Sequence, residues 1–215
     1  MMKTSRKNWL LGLAALLLVC GGSSAFAQTF SGSLSTGDGN LIVGGNWSSA
    51  SLSWTVSNAG AGLWQYDYTL VHGDPETSHF IVELSPGVED DDINNLTAYL
   101  TELDDFGPGP ENPGIPGSFP HAVKFDETDG TTTSISFTIN RVPTWGDFYA
   151  TGGNTSFAYN SGFADPDPLA APADGALAGH LLVPDTRIPE PSTIAMACLL
   201  LGVAALWRRR SHRTT

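Results

Sequence analysis

The stretch WQYDYTL, residues 64–70, alternates large apolar side chains with mostly polar ones. In an extended strand Trp64, Tyr66 and Tyr68 share one face, and Leu70 continues that face. A helix would spread the same side chains around its axis, so this period of two predicts a strand with one buried face.

The same alternation recurs on both sides of this stretch. Three further segments show it clearly, at 51–56, 80–84 and 135–139. Weaker candidates lie at 29–34, 41–43, 122–125, 147–150, 155–159 and 181–183. Many short strands separated by polar turns predict an all-β fold, an antiparallel β-sandwich of jelly-roll or immunoglobulin-like kind. Residues 126–130 predict a hairpin loop between two of these strands.

One segment departs from the alternation. The acidic run 90–92 precedes apolar residues at positions 93, 96, 100 and 103, which is the spacing of one helix face. Acidic side chains favour the first turn of a helix, so we expect one short helix across the sandwich. The runs 107–121 and 165–174 are rich in Pro, Gly or Ala and predict surface loops.

The N-terminal residues 1–27 predict a secretory signal peptide. Lys3, Arg6 and Lys7 precede the apolar run 9–19, and Ala25 and Ala27 form the small-x-small pattern that signal peptidase recognises. An N-terminal signal helix cleaved after residue 27 would leave one extracytoplasmic domain at 28–184.

The C-terminal residues predict a short membrane anchor. The apolar run 194–207 would span about 21 Å as a helix, against a hydrocarbon core of roughly 30 Å. The cluster Arg208, Arg209 and Arg210 argues that this end stays in the cytoplasm. We therefore expect a linker at 185–192, a transmembrane helix at 193–207 and a basic tail at 208–215.

The tail resembles a known sorting signal. Pro189-Glu190-Pro191-Ser192, the apolar run and the three arginines are similar in order and spacing to the PEP-CTERM signal. The resemblance implies recognition by an exosortase, a membrane-embedded protease-transpeptidase of Gram-negative bacteria that make exopolysaccharide. It also implies processing near the proline motif and delivery to the cell surface or extracellular matrix.

Three segments of the body extend this resemblance. SHFIVELS at 78–85, WGDFY at 145–149 and GHLLVP at 179–184 are similar to segments that recur in secreted proteins with this signal. Those proteins have no assigned activity, so the segments imply the family and no chemistry.

Charge and cysteine content narrow the classes of function. Residues 28–188 carry 21 acidic and 3 basic side chains, so their net charge is −18. Such a surface repels nucleic acid and anionic lipid, which excludes both as expected partners. The two cysteines, Cys20 and Cys198, fall in the terminal signals, so the exported region has no thiol for a disulfide or a metal.

The sequence offers only weak candidates for metal binding and catalysis, and we expect no cofactor. Asp90, Asp92 and Asn94 match the first, third and fifth places of a calcium loop, but Asn95 and Thr101 stand where glycine and glutamate are required. The histidines at 72, 79, 121 and 180 show no paired spacing for zinc, and no serine lies in a nucleophile elbow.

Two tryptophans could form a sugar-binding surface. Trp47 and Trp145 are candidates for glycan stacking, since an indole ring offers a flat face to a pyranose. Burial in the core is the competing interpretation, and Trp47, which precedes two serines, is expected to be the more exposed.

Three functional hypotheses follow from these observations. The first is a structural or interaction protein of the cell surface or matrix, without catalysis. The alternative is a carbohydrate-binding module associated with exopolysaccharide, which exposed coplanar tryptophans would favour. The third is a secreted hydrolase, which a cleft holding a histidine beside paired carboxylates would favour.

Overall fold

β-Strands are the main regular structure in the described part of the chain. The computed structural model describes residues 28–184, apart from residues 85, 98, 127–129 and 154. The strands are β1 (Thr29–Ser35), β2 (Leu41–Gly44), β3 (Ala50–Gly60), β4 (Leu63–His72), β5 (Thr77–Glu83), β6 (Tyr99–Phe106), β7 (Phe119–Asp126), β8 (Thr132–Ile139), β9 (Pro143–Gly146), β10 (Phe148–Gly152), β11 (Ser156–Asn160) and β12 (Leu181–Pro184). A single 3₁₀ turn at Asp90–Asp92 is the only helical element among the described residues.

These strands form two large antiparallel sheets and one small one. The first sheet has the order β1-β3-β4-β8, and the second has the order β2-β11-β10-β5-β7-β6. The third pairs β12 with β9. The WQYDYTL stretch lies in β4, an inner strand of the first sheet, so its polar face meets solvent while its aromatic face meets the second sheet.

Aromatic side chains from both large sheets fill the space between them. Tyr68 of the first sheet lies 6.0 Å from Phe80 of the second, between ring centroids, and Phe137 lies 5.6 Å from Phe125. Tyr66 and Tyr68 are buried, and their hydroxyl groups donate to backbone carbonyls at 3.0 and 2.8 Å. The interior is therefore densely aromatic without orphaned hydroxyls, and the predicted all-β sandwich is confirmed.

The predicted helix after the acidic run is wrong, because its second half is the end strand β6. The register places Leu100 opposite Phe125 and Leu103 opposite Val123, with a bulge between Leu100 and Glu102. A bulge adds one residue, so a spacing of three returns to the same face of the sheet. This irregularity imitates the spacing of a helix face.

The predicted hairpin at 126–130 is also wrong. β7 pairs with β5 and β6, whereas β8 pairs with β4 in the other sheet. The connection therefore crosses between the two layers. Polar turn composition marks where a strand ends but does not decide which strand it pairs with next.

The proline-rich loop at 107–118 covers the outer face of the second sheet. Ile115 from this loop is buried in a second apolar cluster with Phe106, Phe119 and Phe163. The hydroxyl of Tyr149 donates to the carbonyl of Pro113 at 2.7 Å and fastens the loop to the sheet. The predicted loop at 107–121 is therefore confirmed over 107–118, although Ile115 is part of the core, and it is wrong at its end, because residues 119–121 belong to β7.

The predictions for the two termini lie outside the described residues. These are the signal peptide with Ala25 and Ala27, the linker, the transmembrane helix and the basic tail. Within the described part of the chain, no helix has the length and apolar character needed to cross a membrane.

Candidate functional site

The three segments 78–85, 145–149 and 179–184 meet at one place in the fold. Glu83 ends β5, Asp147 stands between β9 and β10, and His180 directly precedes β12. Asp167 joins them from the irregular segment between β11 and β12. One ligand atom each from Asp147, Asp167 and His180 lie within 4.8 Å of one another, and these three residues are called the acid–histidine cluster below.

Hydrogen bonds hold Asp147 in place. Its backbone N–H donates to the carboxylate of Glu83 at 2.9 Å, and its side-chain oxygen accepts from the Nδ2 of Asn160 at 2.6 Å. Gly146 makes the first contact feasible, since a Cβ there would lie 2.8 Å from Oε2 of Glu83 and 2.4 Å from Val183. The Trp-Gly-Asp sequence therefore allows a carboxylate to approach the backbone closely.

The ring of His180 is buried and is oriented by its Nδ1. This nitrogen lies 3.3 Å from the carbonyl oxygen of Leu177, which can only accept, so Nδ1 carries a proton. Nε2 faces the carboxylates of Asp147 and Asp167, at 3.7 Å from each. Gly162 leaves room for the ring, because a Cβ there would lie 2.4 Å from Cε1.

The surroundings of the site disfavour the ionised form of its carboxyl groups. Burial, with the neighbouring charges of Asp167 and Asp147, raises the pKa of Glu83 to about 8. Burial also raises the pKa of Asp147 and that of Asp167 above their ordinary values. Three carboxyl groups thus share a region in which a positive charge would be stabilised.

A cavity of about 330 Å³ opens beside the cluster. Glu83 and Asp167 line it together with Trp145, several prolines and the exposed Leu169. His180 does not line it. The arrangement combines buried oxygen and nitrogen donors with one accessible side, which is suited to holding a cation or to moving a proton.

The prediction that Trp47 is exposed is wrong. Its side chain is 1% exposed and stacks on His72 with ring centroids 3.9 Å apart. Its Nε1 donates to the carbonyl of Pro75 at 2.8 Å. Trp47 and His72 form what we call the Trp47–His72 corner, a packed interior feature with no face for a sugar ring.

Trp145 cannot serve as a stacking platform either. It is 2% exposed, and although it lines the cavity beside the cluster, its indole face is covered. Its Nε1 has no hydrogen-bond partner among the described residues. The two tryptophans do not lie on one concave exposed surface, because each is packed inside the fold.

The weak calcium candidates are not assembled into a cation cage. Asp92 accepts from the N–H of Glu89 at 3.1 Å and lies 3.4 Å from the guanidinium of Arg141. The side chain of Asn94 donates to the backbone carbonyl of Asp92. A side-chain cation already occupies the place where calcium would bind Asp92, and Asp90 belongs to an exposed 3₁₀ turn.

Sequence reasoning missed the acid–histidine cluster. Its members come from separate elements and have no local spacing motif, whereas the histidine patterns of zinc sites are local. One signal did exist, because the three segments noted for their resemblance contain Glu83, Asp147 and His180. Asp167 carried no signal beyond its place in a predicted loop.

One of the three comparisons with known proteins finds a match, and it lies in the tail. The model of the PEP-CTERM protein-sorting motif matches residues 187–210. A search of curated proteins and a search of solved structures each find no match to this chain. The motif marks the chain as an exported protein that is anchored in the membrane, processed by an exosortase and sorted to the cell surface.

Proposed function

We propose that this PEP-CTERM-bearing chain is a non-catalytic structural or interaction protein of the cell surface or extracellular matrix. The sorting motif at 187–210 is the observation that carries the proposal. A cysteine-free, strongly acidic β-sandwich with a filled aromatic interior supports it, since such a body stays soluble outside the cell without redox control. Matrix exopolysaccharide is its expected environment.

The test separates recognition of the tail from anchoring. Replacing Pro189, Glu190 and Pro191 with alanine keeps the apolar run and its arginines, so the uncut form should accumulate in the membrane. Deleting Arg208–Arg210 should instead weaken retention and orientation, because the positive cluster sets the topology. Each variant is expressed in the native host, which is then separated into membrane and extracellular fractions. The mass of the protein in each fraction shows whether the tail has been cut.

The matched control replaces Asp185 and Thr186 with alanine, just upstream of the matched segment. It should be trimmed and delivered like the wild type. Delivery of the triple-alanine variant at the wild-type trimmed mass would contradict sorting by this motif.

The acid–histidine cluster favours a second candidate, a secreted hydrolase. The cluster places a histidine beside paired carboxylates, and one of these carboxylates, Asp167, lines the cavity together with Glu83. A cleft with such groups is the feature that would distinguish this class. His180 itself is enclosed, so any catalytic acid or base would be Glu83 or Asp167. Release of p-nitrophenol from p-nitrophenyl glycosides, acetate or phosphate, and its loss in Asp167→Asn, would favour this candidate over the first.

The alternative of a carbohydrate-binding module loses its two candidate residues, since Trp47 and Trp145 are both buried. Affinity electrophoresis in gels containing exopolysaccharide from the native host tests it directly. Retardation that persists in variants of the cluster would point to another surface of the sandwich.

A further inference from the structure

We propose that Asp147, Asp167 and His180 bind one divalent transition metal ion of the Zn²⁺ type, which fastens the segment between β11 and β12 to the sandwich. The inference goes beyond surface sorting, and it holds whether or not the body has an activity.

The orphaned nitrogen of His180 is the first argument. The side chain is 1% exposed, and its Nε2 has no hydrogen-bond partner among the described residues. Burying a polar nitrogen without a partner costs free energy, so such an atom requires an explanation, and a bound ion is one. Among the orphaned nitrogens of the described residues, that of His180 faces two carboxylates. The Nδ1 contact with the carbonyl of Leu177 gives the ring the orientation that metal-binding histidines have.

The distances are the second argument. Nε2 of His180 lies 3.7 Å from a carboxylate oxygen of Asp147 and 3.7 Å from one of Asp167. These separations are too long for hydrogen bonds. Ligands bound at 2.0–2.2 Å in a tetrahedral site stand about 3.4 Å apart, so the two distances from Nε2 need to shorten by only about 0.3 Å. The third pair, between the two carboxylates, lies within 4.8 Å.

The chemical nature of the ligand atoms indicates which metal ions could bind. Two carboxylate oxygens and one neutral imidazole suit Zn²⁺ or Mn²⁺, whereas Ca²⁺ and Mg²⁺ prefer oxygen donors throughout. Asn160 and Glu83 support the first ligand, through bonds to the side chain and to the backbone N–H of Asp147. Supporting partners of this kind are typical of metal sites.

The position of the ligands indicates what the metal would do. His180 and Asp147 are buried and directly adjoin strands β12 and β10, whereas the side chain of Asp167 is 46% exposed and lies in the middle of the long irregular segment. A shared ion would therefore tie that segment down in a body that has no cysteine for a disulfide.

The experiment uses the full chain, purified in detergent and stripped of metal with a chelator. Calorimetric titration with ZnCl₂ should give one site per chain, and zinc should raise the unfolding temperature. Asp167→Asn should weaken zinc binding at least ~10-fold, the lower range for disturbed metal sites. Because Asp167 is partly exposed, this variant should still fold, as its far-UV circular dichroism would verify.

Asp165→Asn is the matched control, since Asp165 is an exposed carboxylate two residues away and outside the cluster. It should bind zinc like the wild type. Equal zinc affinity in both variants, no binding by the wild type, or tighter binding of Ca²⁺ or Mg²⁺ than of Zn²⁺ would each overturn the proposal. Co²⁺ should bind in place of Zn²⁺, and its visible absorption spectrum should differ from that of the wild type in Asp167→Asn but not in Asp165→Asn. This measurement does not depend on the stability of the protein.

Discussion

The Trp47–His72 corner and the acid–histidine cluster each bury a histidine, but they treat its ring nitrogens differently. Both nitrogens of His72 have partners at 2.6 Å, the carbonyl of Gly73 and the hydroxyl of Thr77. His180 has one partner, and its other nitrogen faces two carboxylates that are too distant to bond it. Both nitrogens of His72 are thus satisfied within the fold, whereas the buried Nε2 of His180 has no partner among the described residues, as the proposed metal site requires.

A substitution in the Trp47–His72 corner should lower the free energy of unfolding more than one in the acid–histidine cluster. Trp47→Ala removes a buried indole, its stack on His72 and its bond to Pro75, so we expect a loss of about 3–5 kcal/mol in the free energy of unfolding. Urea denaturation should give the same loss with and without zinc. Leu169→Ala is the control, because Leu169 is 91% exposed and its loss should stay within about 0.5 kcal/mol.

A loss for Trp47→Ala that depends on zinc would mean that the two regions are coupled. The Trp47–His72 corner would then not be independent of ligand binding at the acid–histidine cluster.

The next largest effect is expected from adding one methyl group, as a Gly→Ala substitution, beside each of the two histidines. Gly162→Ala would place a Cβ 2.4 Å from the His180 ring, so overpacking should cost about 1–3 kcal/mol and reduce the stabilisation by zinc. Gly73→Ala, beside His72, meets nothing within 4 Å and should cause no loss. Thermal unfolding of both variants, with and without zinc, measures their stability and their stabilisation by the metal. Equal stability and equal stabilisation of the two variants would contradict the close packing of Gly162 against the His180 ring.

The smallest expected effect is a pH dependence at the corner. Burial lowers the pKa of His72, against the smaller opposing effects of its bond to Gly73 and the charge of Asp74. The unfolded chain then binds a proton more readily, so the contribution of His72 is complete above its ordinary pKa of about 6.5 and is lost as the pH falls below it.

Between pH 7 and pH 5 the stability of the wild type should therefore fall relative to that of His72→Gln in denaturation experiments. The raised pKa values of Glu83, Asp147 and Asp167 act in the opposite direction, but they are common to both proteins and cancel in this comparison. Burial also lowers the pKa of His79, which is likewise common to both proteins. An unchanged dependence of stability on pH in His72→Gln would show that His72 does not titrate differently in the folded chain.

The sandwich was predictable because alternation is a local property of the sequence. Trp64, Tyr66 and Tyr68 reveal their strand without any knowledge of their partners. The error at β6 arose because a bulge disturbs that periodicity, and the error at 126–130 arose because pairing is decided between distant strands. The pattern of one segment does not contain either piece of information.

The cluster was not predictable for a related reason. Glu83, Asp147, Asp167 and His180 come together only after β5, β10 and β12 have taken their places. The burial of Trp47 was likewise hidden, since its neighbouring serines suggest solvent while its contacts with His72 and Pro75 come from elsewhere in the chain.

The bulged, acidic strand β6 has a consequence for how copies of the protein meet. It is an end strand of the six-stranded sheet, where unpaired backbone groups could recruit a strand from another molecule. Its register breaks twice, and Glu102, Asp104 and Asp105 are exposed along it. A strand of a second copy approaching this edge would meet like charge and a broken ladder, so the edge at β6 is protected against pairing with another molecule.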